Sequence, residues 1–192
     1  MADKTLPSPK DRNLFFCKYV DQESIEKLTK EIIEINDDDE HLKKLYKIQD
    51  IVYSPKPIKI HIDSFGGNVY QCFGLLSIME NSMTPIHTIV TGCAMSCGFL
   101  ILICGHKRFG FPLSTTLYHQ VSCDSVGTIK KMEDKLVEER RLQDKMEEIT
   151  LKKTKITKEK LEEIYKTQKD WYLSAEESKE LGVIDEIITS KI

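Results

Sequence analysis

The chain has 192 residues, of which 40% are hydrophobic and 31% charged, with a formal net charge of −3 at pH 7. This length suits one domain that buries its own core without disulfides or metals. The nearly balanced charge gives no electrostatic basis for binding nucleic acid. We therefore expect a single domain over residues 1–192, in which residues 1–12 form a flexible N-terminal segment.

The N-terminal segment is polar and contains two prolines and no apolar stretch. It therefore predicts neither a secretory signal nor a membrane anchor, and we expect a cytoplasmic protein. The longest apolar run, residues 98–104, is far shorter than the ~20 residues that cross a bilayer. The cysteines form no C-x-x-C pair, so reduced and mostly buried thiols are expected rather than zinc ligands. The six are Cys17, Cys72, Cys93, Cys97, Cys104 and Cys123.

The first part of the chain predicts one strand followed by two helices. The strand covers residues 13–19, and Asp21 is a typical cap for the helix after it. Apolar residues spaced by three and four predict that this helix is amphipathic. The charged run at residues 36–39 is interpreted as a solvated loop that ends it. A second helical stretch, residues 40–53, then ends before Ser54 and Pro55.

The middle of the chain alternates between strand and helix patterns. Such alternation favours an α/β domain with parallel strands and right-handed crossovers. The predicted elements are a strand at 58–63, a turn at 64–67, a helix at 69–80, a strand at 86–90, a turn at 91–92, an apolar helix from Ser96 to Gly105, and strands at 107–111 and 115–118.

A long charged helix is predicted from Gly127 to about Thr154. Its length and thin apolar stripe are typical of an arm at an interface rather than a core element. Helices at residues 156–166 and 175–181 and a strand at 183–187 are expected to complete the fold.

Ser96 is the first candidate for chemistry, within the segment Gly92-Cys93-Ala94-Met95-Ser96-Cys97-Gly98. A serine hydroxyl becomes a nucleophile when a base removes its proton, and a turn between strand and helix can expose it. The backbone amide of Cys97 would then face the developing oxyanion. The competing interpretation is that Ser96 only caps the apolar helix.

Two further segments add to the candidate site. Gly66-Gly67 follows a strand and offers unobstructed N–H groups, so Gly67 can be a second oxyanion donor, although a plain tight turn fits equally. His119 ends a strand at the edge where α/β sheets place their sites, which favours it as the base. Spacing and composition leave the acid of a triad open among 31 Asp and Glu residues.

Taken in order, these segments resemble the proteolytic subunit of the Clp protease (ClpP). The resemblance rests on Ser64–Gly67, Gly92–Gly98, His119-Gln120, Asp170 with Ser174-Ala175, and Gly182-Val183-Ile184-Asp185. It implies a Ser96, His119, Asp170 triad, with the amides of Gly67 and Cys97 as the oxyanion hole. It also implies an α/β fold of the ClpP/crotonase-like type, a spiral of β-strands with flanking helices and a protruding handle helix at residues 126–154.

The same resemblance implies an assembly and a substrate class. The family forms heptameric rings, two of which stack into a fourteen-subunit barrel with the sites inside. We accordingly expect an endopeptidase for unfolded polypeptides, delivered by a Clp-type AAA+ ATPase. No cofactor is expected in this chain, because ATP would be used only by that partner.

The chain also departs from the family pattern. Phe65 and Val121 replace prolines, and Lys169 replaces an arginine that pairs across the ring interface. The helical link at residues 36–57 is longer than usual. Lys59 and His61 fall where aromatic residues line the clefts that receive the ATPase. Several of these departures fall at positions that the family uses for docking its ATPase and for ring-coupled activation.

Three alternatives remain at this stage. The chain could be a catalytically silent ring subunit, although all three triad residues are present. It could be a crotonase-type acyl-CoA enzyme, which shares the fold but has no need of a Ser-His-Asp set. It could also use a Ser/Lys dyad, which would require a lysine where His119 and Asp170 stand.

Overall fold

The computed structural model describes residues 11–124 and 126–189. The elements alternate between strand and helix along most of the chain. They are β1 (Asn13–Phe16), α1 (Gln22–Ile48), β2 (Ile58–Ser64), α2 (Val69–Glu80), β3 (Ile86–Met95), α3 (Cys97–Ile103), β4 (Lys107–Gly110), β5 (Thr115–Tyr118), α4 (Ile129–Lys153), α5 (Lys158–Thr167), β6 (Trp171–Leu173), α6 (Ala175–Glu180) and β7 (Glu186–Ile187).

The strands form one mainly parallel sheet, which confirms the expected α/β class. Its order is β1-β2-β3-β4-β7, and every pair along this path is parallel. The long β3 also pairs with β5 beyond the point where β4 ends. β6 then pairs with β5 in the antiparallel direction. The sheet therefore branches at the carboxyl end of β3.

The core is centred on α3, whose seven residues are all buried. Burial on every side explains why its sequence is apolar all round instead of having one apolar face. The alternate residues Ile58, Ile60 and Ile62 of β2 are fully buried. Within the described residues, no helix combines the length and the hydropathy that a transmembrane span requires.

The predicted loop at residues 36–39 is wrong, because α1 runs unbroken through it for 27 residues. Asn36 faces inward, and its side-chain oxygen accepts hydrogen bonds from the backbone amides of Met83 and Thr84. Asp39 is also buried and pairs with Arg12. Polar groups that find partners across the fold in this way need not end a helix.

The predicted turn at Thr91-Gly92 is also wrong, since β3 continues through it as a bulge. Ile62 pairs with Val90 but Ser64 pairs with Ala94, so β3 has two extra residues opposite Asp63. The Asp63 carboxylate accepts a hydrogen bond from the Cys93 amide at 3.0 Å. A Cβ at Gly92 would lie 2.6 Å from that carboxylate, which is why the bulge requires a glycine.

Candidate active site

Ser96 occupies a sharp turn between β3 and α3. Its backbone has φ 54° and ψ −121°, a conformation that non-glycine residues rarely adopt. Ser96 precedes the first residue of the helix, yet its side chain makes no capping hydrogen bond. The interpretation that Ser96 only caps the helix is therefore excluded. Strained serines at such strand-to-helix turns are typical of nucleophile elbows.

The branched sheet brings the three predicted triad residues to one place. Met95 pairs with Leu117 across β3 and β5, and the Ser96 amide donates to the Leu117 carbonyl at 3.0 Å. On the other side of β5, Tyr118 pairs with Trp171 of β6. His119 and Asp170 are the next residues along these two antiparallel strands, so they face each other.

His119 and Asp170 are close but do not form a hydrogen bond. His119 Nδ1 lies 3.6 Å from Asp170 Oδ1, whereas a hydrogen bond would be near 2.9 Å. The imidazole is 30% exposed and the carboxylate 56%. Since Nδ1 faces the carboxylate, Nε2 is the nitrogen left for a nucleophile. Sequence analysis did not predict β6, the short strand that holds Asp170 beside the imidazole.

The Gly66-Gly67 turn lies against Ser96. A Cβ at Gly66 would lie 2.7 Å from both the Met95 carbonyl oxygen and the Ser96 Cβ, and Gly66 has φ 98°. Only glycine allows the turn to approach the serine this closely. Ser64 supports the turn, because its hydroxyl donates to the Lys18 carbonyl at 2.6 Å and accepts from the Gly66 amide at 3.2 Å.

Backbone hydrogen bonds to Val20 orient the Gly67 peptide. The Val20 amide donates to the Gly66 carbonyl, and the Val20 carbonyl accepts from the Asn68 amide, both at 2.8 Å. In a trans peptide the C=O and N–H groups point in opposite directions. The N–H and C=O of Gly67 itself therefore both point away from Val20. The turn thus presents the Gly67 amide on the side where Cys97 lies.

Two buried thiols lie beside the candidate oxyanion hole. Cys97 is 1% exposed and donates from Sγ to the Gly67 carbonyl oxygen at 3.2 Å. Cys72 of α2 is fully buried and donates from Sγ to the Cys97 carbonyl oxygen at 3.5 Å. The neighbouring Cys97 and burial raise the pKa of Cys72, so this thiol keeps its proton. All six cysteines are free, as the sequence predicted.

Gln143 of α4 holds the segment that follows His119. It is 6% exposed, and its side-chain oxygen accepts from the Val121 amide at 2.8 Å. Its side-chain nitrogen donates to Glu147 at 2.7 Å. Sequence analysis missed this contact. The available signal was a polar residue on the apolar side of the predicted helix, between Leu142 and Met146.

A cleft of about 520 Å³ adjoins Gly67. Its walls come from the start of α1, the turn before α2, the segment after His119 and the middle of α4. The charged side chains that line it are Asp21 and Glu139, both acidic. A hydrogen bond from the Ser24 backbone amide lowers the pKa of Asp21.

The residues at which the chain departs from the family pattern lie mostly at the surface. Phe65 is 76% exposed. Lys169 is exposed beside Asp170, and Val121 packs against the core. The His61 ring stacks on Phe15 with centroids 4.8 Å apart, and burial lowers the pKa of this imidazole.

The other histidines have no part in the site. His41 and His106 are exposed, as expected, and His106 accepts a hydrogen bond from the Ile86 amide. His87 lies 5.7 Å from Phe109, centroid to centroid. In the part of the chain that the structure describes, no group of three His, Cys, Asp or Glu side chains could hold a metal ion.

The fold is α/β, and the candidate site lies around Ser96 at the carboxyl end of the parallel strand β3. Residues 9–191 match the family model described as Clp protease. A relative from Deinococcus radiodurans, named ATP-dependent Clp protease proteolytic subunit, is 32% identical over 133 residues. The alignment covers 68% of this chain and 64% of that relative. The chain therefore belongs to the Clp protease family, a family of serine peptidases, as one of its divergent members.

Proposed function

We propose that this chain is a serine endopeptidase in which Ser96 is the nucleophile, His119 the base and Asp170 the residue that orients it. The observation that carries the proposal is the branched sheet. It brings the ends of β3, β5 and β6 together. The strained Ser96 follows β3, and His119 after β5 lies 3.6 Å from Asp170 before β6, measured from Nδ1 to Oδ1. This proximity supports acyl transfer through a triad, in which the carboxylate orients the imidazole and the imidazole activates the serine.

In the proposed mechanism, His119 Nε2 removes the Ser96 proton as the serine oxygen attacks a peptide carbonyl. The tetrahedral oxyanion accepts hydrogen bonds from the Gly67 and Cys97 amides. Its collapse breaks the C–N bond, and the imidazolium returns the proton to the leaving amine. Water, activated by the same imidazole, then hydrolyses the acyl-enzyme. Asp170 stabilises the imidazolium through Nδ1.

We further propose that the working form is a ring. By family membership, copies of this chain assemble as two stacked heptamers and cleave unfolded polypeptides in the enclosed chamber. A Clp-type AAA+ ATPase is the proposed partner, in the cytoplasm. The chain itself uses no cofactor, membrane or nucleic acid in this mechanism. Lys59 and His61 stand where the family has aromatic residues in the cleft for that partner.

Family membership argues against a crotonase-type acyl-CoA enzyme. A Ser/Lys dyad is disfavoured because His119 and Asp170, not a lysine, adjoin the serine turn. A catalytically silent ring subunit is the competing hypothesis that needs an experiment. The strained backbone of Ser96 favours activity, since strain of about 1–3 kcal/mol per residue usually persists only where function requires it.

The test combines a fluorophosphonate probe with hydrolysis of a short fluorogenic peptide. We expect wild type to be labelled and to turn over peptide, and Ser96→Ala and His119→Ala to lose turnover by several orders of magnitude. Asp170→Asn should lose about 10²–10⁴-fold. Ser77→Ala, an exposed serine on α2, is the matched control and should behave as wild type. An unlabelled wild type, or an active Ser96→Ala, would reject the proposal.

A further inference from the structure

The turn that carries Gly67 is fixed from two sides. On one side, the Val20 amide and carbonyl hold the flanking peptides at 2.8 Å. On the other side, the only polar group recorded at the Gly67 carbonyl within the described residues is the Cys97 thiol, at 3.2 Å. A glycine with φ 148° has broad conformational freedom, so this second contact restricts rotation that the backbone bonds alone permit.

The Cys97 residue links both amides of the candidate oxyanion hole. Its own backbone N–H is one proposed donor, and its side chain contacts the carbonyl of the residue that supplies the other. The Cys72 thiol continues the connection, because it donates to the Cys97 carbonyl at 3.5 Å. Two thiol hydrogen bonds, one buried and one partly buried, thus join α2, the start of α3 and the glycine turn.

We propose that Cys97 is a positioning residue that sets the separation and direction of the two oxyanion donors, with Cys72 supporting it. Oxyanion stabilisation depends on donors held 2.7–3.1 Å from the place where the charge develops, so small displacements are costly. A side chain that tethers one donor residue to the other reduces such displacements. The inference rests on the proposed peptidase function.

The proposed positioning role of Cys97 requires a hydrogen-bond donor and not only a side chain of the right volume. The effect of losing the donor can therefore be separated from the effect on core packing. Cys97→Ser keeps a hydrogen-bond donor, whereas Cys97→Ala removes it. Cys104→Ala is the matched control, because Cys104 is another buried thiol next to α3, 4% exposed, at the end remote from Ser96. Thermal unfolding of all three variants measures the packing cost independently of catalysis.

We expect Cys97→Ala to lower kcat by about tenfold or more, while KM changes less than about twofold. This loss is smaller than the about 10²–10³-fold fall in kcat that is typical when a whole oxyanion donor is removed. Its affinity for a peptide boronate, whose serine adduct resembles the tetrahedral intermediate, should fall in proportion to kcat/KM. Cys97→Ser should recover most of the activity. Cys72→Ala should lower kcat in the same direction by a smaller factor, and Cys104→Ala should leave kcat unchanged.

Wild-type kcat in Cys97→Ala, or equal losses in Cys97→Ala and Cys97→Ser, would overturn the inference. If Cys97→Ala does not fold, the Cys72→Ala and Cys72→Ser pair applies the same criterion, since only the serine keeps the donor. A wild type without any peptidase activity would instead reject the proposed function, so the two failures are distinguishable.

Discussion

At Ser96 the local backbone and the neighbouring turn depend on each other. The serine adopts φ 54°, and Gly66 leaves the space beside its Cβ empty. A larger residue in the turn would push directly against the strained serine. The strained conformation of Ser96 therefore depends on Gly66, because only a glycine in the turn leaves room for the serine side chain.

Gly66→Ala should abolish turnover and destabilise the fold. The added Cβ would lie 2.7 Å from the Met95 carbonyl and the Ser96 Cβ, and φ 98° is strained for alanine. Gly74→Ala is the control, because Gly74 lies exposed within α2 and an added Cβ meets nothing within 4 Å. That change should raise the free energy of unfolding by about 0.5–1 kcal/mol. Denaturant unfolding measures the change in stability, and hydrolysis of a fluorogenic peptide measures the change in turnover. An active Gly66→Ala variant would contradict the prediction that the turn requires glycine.

The candidate site residues differ in how clearly the sequence patterns around them indicate a role. Ser96, His119 and Gly67 each stand at a strand end or turn that local patterns reveal. Asp170 was assigned only by resemblance, because the short β6 that holds it beside His119 has no clear pattern of its own. Gln143 and the thiol contact of Cys97 involve residues 22 to 30 positions apart, which periodicity cannot connect.

At the scale of elements, α2 and β5 have the bounds that sequence patterns predict, since each has clear turn residues at both ends. Errors arose where polar residues have distant partners. The sequence pattern at Asn36 and Asp39 predicts the end of a helix, yet both side chains bind groups on the loop before β3, and Asp39 also binds the segment before β1. Asp63 likewise turns an apparent loop into a strand bulge.

Asp39 is central to the buried contacts of α1. Burial alone would raise its pKa, but hydrogen bonds from Arg12, Thr84 and Tyr53 outweigh this and hold it below the ordinary 3.8. Burial and the contact with Asp39 raise the pKa of Tyr53 to about 12, so the phenol remains a donor. Arg12 also donates to the Lys56 carbonyl at 2.8 Å, which fastens the segment before β2.

Asp39→Asn should lower the free energy of unfolding by about 3–5 kcal/mol, because it leaves the Arg12 charge buried and unpaired. Glu40→Gln is the control; its exposed pair with Lys44 contributes about 0.5 kcal/mol or less. Since the folded pKa of Asp39 is depressed, its contribution is full above the ordinary carboxyl pKa. It is lost as the pH falls through the folded value.

Urea unfolding between pH 7 and pH 2 measures this dependence. The difference between wild type and Asp39→Asn should shrink at the acid end of the range. A difference that stays constant with pH would show that the carboxylate charge is not what stabilises the contact.

At the scale of the whole molecule, α4 is unusual in exposing apolar side chains along its first half. Ile129 is 74% exposed, Leu136 53% and Val137 70%. Its second half is anchored, since Leu142 and Met146 are buried. A helix that is packed at one end and apolar but exposed at the other is suited to contact between copies of the chain.

Leu136→Glu should therefore weaken the assembly without unfolding the chain. Burying a leucine contributes about 1.5–3 kcal/mol, and a symmetric interface repeats the loss at every copy. Mass photometry should show smaller particles, while circular dichroism remains unchanged. The control is Glu133→Gln, which changes an exposed residue three positions before Leu136 in α4. This variant should assemble as wild type. An intact assembly in Leu136→Glu would exclude this part of α4 from the interface.

The order of the strands along the chain also affects when the proposed activity can appear during synthesis. Ser96 and His119 leave the ribosome well before Asp170, and β6 must pair with β5 before the carboxylate reaches the imidazole. A nascent chain that stops before Asp170 thus carries the proposed nucleophile and base without the proposed acid. Under the proposed mechanism, a newly made subunit would gain full cleavage power only after β6 has been synthesised and has paired with β5.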